Sequence, residues 1–127
     1  GGVGGGETYV ILCGDHGPSY GEFYQESQAG RLEAKMPALW ILPPPSAPPD
    51  VRRALERNAN VLTTPFDVFA TVREILNPGP PPPPKGLSLL TQLDPERGCA
   101  AAGVPHEHCA CSEWDAVPPG ELGSPLY

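Results

Sequence analysis

The chain has 127 residues, enough for one small domain, but its 19 Pro and 15 Gly make up roughly a quarter of it, a share that points to low-complexity segments unable to bury a core. A net charge of −7 argues against a nucleic-acid surface. The Gly-rich start has no charged n-region of a signal peptide, and no apolar run reaches the roughly 18 residues that a membrane span needs.

Residues 1–6 are expected to be disordered. Thr8 to Cys13 is β-branched, aromatic and continuously apolar, the pattern of a buried strand in a parallel sheet. Gly14-Asp15-His16-Gly17-Pro18 stops it. Residues 19–36 are polar and read as a long loop with one helical turn. Ala38 to Leu42 is a second strand, parallel to the first and beside it, ended by Pro43-Pro44-Pro45, which cannot donate to a ladder.

Asp50 to Asn58 reads as a helix, with Val51, Ala54 and Leu55 on one face. Thr64 to Leu76 is a stronger one. Thr64 is an N-cap, Pro65 suits the first helical position, and Asp67 is an acid in the first turn. Phe66, Phe69, Val72, Ile75 and Leu76 form its apolar stripe, and Asn77-Pro78 ends it. Pro80 to Pro84 is an extended proline run, read as a solvated insertion or as a ligand for a proline-recognising domain. Ordered sequence resumes at Gly86-Leu87-Ser88-Leu89-Leu90. From Gly98 the chain is irregular and Cys-rich, and 115–127 is expected to be disordered.

Asp15-His16 is the pair that carries chemistry. It stands where a strand ends, the edge at which α/β sheets bind ligands. An adjacent carboxylate and imidazole can serve one divalent cation, and Gly14 and Gly17 would let backbone approach a ligand. Cys99, Cys109 and Cys111 form either a disulfide framework or, with His106 and His108, a metal site, although their spacing is not that of a zinc knuckle. Cys13 reads as a small buried apolar residue.

Four segments in order resemble a known superfamily. The stretch Tyr9 to Gly17, ending Asp-His-Gly, is similar to the strand-then-Asp-His-Gly motif of sulfatases and the alkaline-phosphatase superfamily. Gly30 to Pro37, with Glu33 and Lys35, resembles their later segment of Glu, basic residue and Pro. Thr64 to Val72 resembles their Asp-led helix carrying a Thr, and Gly86 to Leu89 their Gly-x-Ser-Leu segment. Arg97-Gly98-Cys99, Ala102-Gly103-Val104-Pro105 and Cys109-Ala110-Cys111 extend the likeness, to about Trp114, toward an extracellular sulfatase-like family once classed as domain of unknown function 229.

That resemblance implies an α/β fold, a partial three-layer α/β/α alkaline-phosphatase-like domain with Pro-rich loops and an irregular Cys-containing end. Residues 7–95 would be the C-terminal part of the core, with 80–84 an insertion, and 96–114 a Cys-containing extension. It implies that Asp15 and His16 are metal ligands, for calcium or zinc. The substrate of the full-length protein would be an anionic sulfate or phosphate ester, and its location extracellular or in the secretory pathway. Arg31 and Lys35 are the nearby cations for an anion. No Cys/Ser-x-Pro-x-Arg nucleophile motif occurs in this sequence, so no catalytic residue is assigned and the chain alone is expected to be inactive. In an extracellular family Cys99 would pair with Cys109 or Cys111, leaving an odd thiol or one whose partner lies in another region. The alternative is a non-catalytic sulfatase-like or proline-rich extracellular binding protein.

Overall fold

The computed structural model describes residues 8–79, 81 and 83–111. The glycine-rich start, Pro80, Pro82 and the sequence from residue 112 on, with Trp114 and the expected tail, lie outside the described residues. The architecture is mixed α/β. In chain order the elements are β1 (Val10–Cys13), α1 (Gly21–Glu26), α2 (Gln28–Lys35), β2 (Leu39–Leu42), α3 (Pro49–Asn58) and α4 (Pro65–Leu76), then a 3₁₀ turn at His106–His108. Among the described residues no helix is long and apolar enough to cross a membrane.

β1 and β2 are neighbours, as the apolar runs imply, but they pair antiparallel rather than parallel, with Val10 opposite Leu42 and Cys13 opposite Leu39. The connection returns the chain to the end of the ribbon that it left. Gly14 N–H donates to the Ala38 carbonyl at 3.0 Å and Gly17 N–H to the Ala34 carbonyl at 3.0 Å, closing the ribbon on itself. A parallel pair needs a crossover to the opposite end.

The buried-strand reading also fails. Val10, Leu12, Trp40 and Leu42 share one face of the ribbon and are all exposed, and Cys13 is exposed too. A continuous apolar run marks a strand covered on both faces, and this two-stranded ribbon has no such cover among the described residues.

Residues 19–36 are not a loop. They hold α1 and α2, joined at Ser27. The Ser27 hydroxyl donates to the Phe23 carbonyl at the end of α1 and accepts the Gly30 N–H at the start of α2. One side chain thus ends one helix and caps the next. Gly30 inside α2 weakens the sequence signal. It is there because a Cβ would clash with the Phe23 carbonyl, where α1 lies against α2.

α3 forms where the apolar spacing of Val51, Ala54 and Leu55 places it and α4 where the capping chemistry of Thr64 does, each with Pro in its first turn. The Asp67 carboxylate accepts from both the Thr64 N–H, at 2.7 Å, and the Thr64 hydroxyl, at 2.9 Å. The inward face of α4, however, is not the aromatic stripe. Phe66, Phe69, Val72 and Leu76 are exposed, while Asp67, Ala70 and Thr71 are buried, Asp67 and Thr71 to 0 % exposure.

The reason is the segment that α4 must hold. Leu87 N–H donates to Asp67 Oδ1 at 2.8 Å, and one turn further along Leu89 N–H donates to Thr71 Oγ1 at 2.9 Å. Buried backbone donors need partners, so polar side chains at i and i+4 face inward to meet them. Gly86 starts this segment with φ of +84°, where any Cβ would strike the Phe66 carbonyl. On the α3 side, buried Asn58 donates to the Leu89 and Thr91 carbonyls and accepts from Leu93 N–H. The core is small, built from Ala47, Ala54, Ala70, Leu89, Leu93 and Ala102.

Candidate functional site

Asp15 and His16 follow β1 after the single residue Gly14 and are exposed. The turn fixes them. Asp15 Oδ1 accepts the His16 N–H at 2.9 Å, and His16 Nδ1 lies 2.7 Å from the Gly17 carbonyl oxygen. A carbonyl can only accept, so Nδ1 carries a proton, and in the neutral imidazole it is Nε2 that keeps the lone pair. A backbone carbonyl on one imidazole nitrogen, with the other left bare, is the usual arrangement of a metal-ligating histidine.

The two outward atoms then face one another: His16 Nε2 is 3.5 Å from Asp15 Oδ2. Two adjacent ligands of one cation, each at about 2.0–2.4 Å, stand roughly 3–3.5 Å apart. In donor type and separation the pair therefore fits two positions around a single divalent ion. It does not complete a site. Structural zinc takes about four ligands and calcium about six to eight, and among the described residues the only group of three potential ligands close enough to share an ion is Cys99, Cys109 and Cys111.

His16 lines an open cleft of about 420 Å³ with Leu12, Cys13, Glu33, Met36 and Trp40. Its wall is largely apolar, with Glu33 its one acidic side chain. Gly17 is small for a different reason from the one read in the sequence. The space that a Cβ would take is filled by the Glu33 carbonyl of α2, so the turn docks against a helix and gives no room to a ligand there. That contact braces the residue whose carbonyl meets His16 Nδ1.

Arg31 and Lys35 are not brought to the pair. Both are exposed and neither lines the cleft. Arg31 donates to the Gln25 carbonyl at 3.1 Å, while Lys35 Nζ donates to the Glu107 carbonyl at 3.2 Å and ties the 3₁₀ turn to α2. Cys99 and Cys109 form a disulfide with Cα atoms 5.8 Å apart. Cys111 is a free, exposed thiol, and so is Cys13, which the sequence placed in the interior.

Sequence reasoning named Asp67 and Arg97 separately and did not join them. Arg97 Nη1 donates to Asp67 Oδ2 at 2.9 Å and Nη2 to Asp67 Oδ1 at 3.0 Å, with both side chains buried. Arg97 Nη1 also reaches the Leu62 carbonyl at 3.2 Å. Burial pushes the Asp67 carboxyl up, but the bonds from Arg97, Leu87 and Thr64 outweigh it and hold the group below its ordinary value near 3.8. Asp67, Thr71, Gly86 and Arg97, all within the segments of the family resemblance, thus form one internal frame. An acid in a helix's first turn facing a distant Arg is the signal that was present, but the residues are 30 apart and spacing could not pair them.

Residues 6–122 match the model of one protein family, described as a protein of unknown function (DUF229). No curated protein and no solved structure matches the chain.

Proposed function

The chain belongs to the DUF229 family of unknown function, and on that premise we propose that it is part of a metal-dependent sulfatase-like hydrolase of the alkaline-phosphatase superfamily, contributing Asp15 and His16 to a metal site. The observation that carries this reading is the pair itself: the imidazole Nε2 and a carboxylate oxygen, 3.5 Å apart and exposed at the carboxyl end of β1. Calcium or zinc, when bound, would supply charge to neutralise the anionic oxygens of a sulfate or phosphate ester.

This chain's own residues do the holding. The Gly17 carbonyl fixes the His16 tautomer, the His16 N–H fixes the Asp15 carboxylate, and α2 braces both through Gly17. The open apolar face of Val10, Leu12, Trp40 and Leu42 is what a strand pair presents to a larger layered α/β/α domain, which supports the reading of this chain as one piece of it. The nucleophile and remaining ligands would then lie outside these residues. The Cys99–Cys109 disulfide is the chemistry of an oxidising compartment and supports an extracellular or secretory location.

The test is made in the longest protein that carries this sequence. Asp15→Asn and His16→Ala should lower bound calcium or zinc, measured by elemental analysis, together with hydrolysis of an aryl sulfate or aryl phosphate. Circular dichroism should stay unchanged. Full metal occupancy in both variants would reduce the pair to a surface turn.

A further inference from the structure

Three sulfurs meet in the C-terminal segment. Cys99 and Cys109 are bonded, and the Sγ atoms of Cys99, Cys109 and Cys111 all lie within 4.8 Å of one another. The Cys111 carbonyl oxygen is 3.5 Å from Cys109 Sγ, so the backbone beyond the disulfide folds back against it. Hydrogen-bonded turns hold the two bonded cysteines: Val104 N–H donates to the Cys99 carbonyl and Cys109 N–H to the His106 carbonyl. Lys35 anchors the 3₁₀ turn to α2 from the other side. The free thiol is exposed, while the disulfide sulfurs belong to half-buried residues.

We propose that Cys99, Cys109 and Cys111 form an intramolecular thiol–disulfide exchange site. The Cys111 thiolate attacks Cys99 Sγ. The Sγ111–Sγ99 bond forms, the Sγ99–Sγ109 bond breaks, and Cys109 leaves as a thiolate that takes up the proton Cys111 released. The step is redox-neutral and needs no oxidant or reductant. Attack at Cys109 is disfavoured, because residues two apart in sequence do not reach disulfide geometry without distorting the backbone. The exchange changes what the surface offers. With Cys99–Cys109 bonded the chain presents the exposed thiol of Cys111, and with Cys99–Cys111 bonded it holds the half-buried thiol of Cys109 instead. The cluster thus sets whether this end of the chain can form a disulfide with another protein.

Differential alkylation of the full chain tests this. Protein quenched in acid, and protein held at mildly alkaline pH without reductant, are each labelled with one alkylating reagent. They are then reduced, labelled with a second, and sequenced by tandem mass spectrometry. The first reagent should mark Cys13 and Cys111 in the acid-quenched sample. After incubation a stable fraction should carry it on Cys109, at a rate independent of protein concentration. Cys111→Ser should abolish Cys109 labelling, and Cys13→Ser should leave it unchanged. Three results would overturn the proposal: Cys109 protected at all times in the unaltered chain, loss of its labelling in Cys13→Ser, or isolation of the three cysteines reduced around a stoichiometric zinc ion.

Discussion

Arg97 grips Asp67 through two parallel hydrogen bonds out of contact with solvent, 30 residues apart in sequence, and this pair closes the C-terminal segment over the N-terminus of α4. Arg97 is followed by Gly98 and the disulfide-bonded Cys99, so the ion pair and the covalent bridge secure adjacent parts of one strap.

Removing either partner leaves a buried charge without its counterpart, which costs about 3–5 kcal/mol. Asp67→Asn and Arg97→Met should each lower the unfolding free energy obtained from urea titration by that amount. The double variant should cost less than the two singles together, with an interaction energy of about 1–3 kcal/mol. Strict additivity in that cycle would show that the bonds contribute nothing beyond packing.

Acid should weaken the same contact. The folded-state value of Asp67 is depressed, so its contribution is fully present above its ordinary value near 3.8 and is lost as pH falls through the lower folded value. Urea titrations between neutral pH and the acid range should show stability falling below about pH 4. In Asp67→Asn that acid limb should be shallower. Equal slopes in the two proteins would place the acid sensitivity elsewhere.

Thr71→Val keeps the shape of the side chain but leaves the buried Leu89 N–H without an acceptor, at a cost of about 1–3 kcal/mol. Thr71→Ser keeps the hydroxyl and should retain most of the stability. Amide exchange at Leu89 reads this directly, since its protection should drop in the Val variant and persist in the Ser variant.

Gly17→Ala places a methyl group against the Glu33 carbonyl and should part the Asp-His turn from α2. The His16 ring loses its fixed Gly17 acceptor in consequence. The expected result is a histidine whose tautomer is no longer set, seen as a change in the ¹⁵N shifts of the His16 ring, together with a lower melting temperature. Unchanged ring shifts would show that the turn holds its shape without the helix.

Local chemistry was legible from the residues alone. Thr64-Pro65 announced the start of α4, Asn77-Pro78 its end, and the apolar runs gave the cores of β1 and β2, because caps, proline and short-range periodicity act within a few residues. The Asp15-His16 pair was visible for the same reason, since adjacent residues leave a strand together. What the tertiary structure decided was every relation across distance. It set the antiparallel direction of β2, which depends on the end of β1 to which α1 and α2 return the chain. It turned the polar face of α4 inward, because Leu87 and Leu89 needed acceptors that no helical periodicity records. It joined Asp67 to Arg97 and chose Cys109 over Cys111 for Cys99. Partners far apart in sequence are selected by where the intervening chain brings them, and a buried charge or backbone donor shows its requirement only once water has been excluded around it.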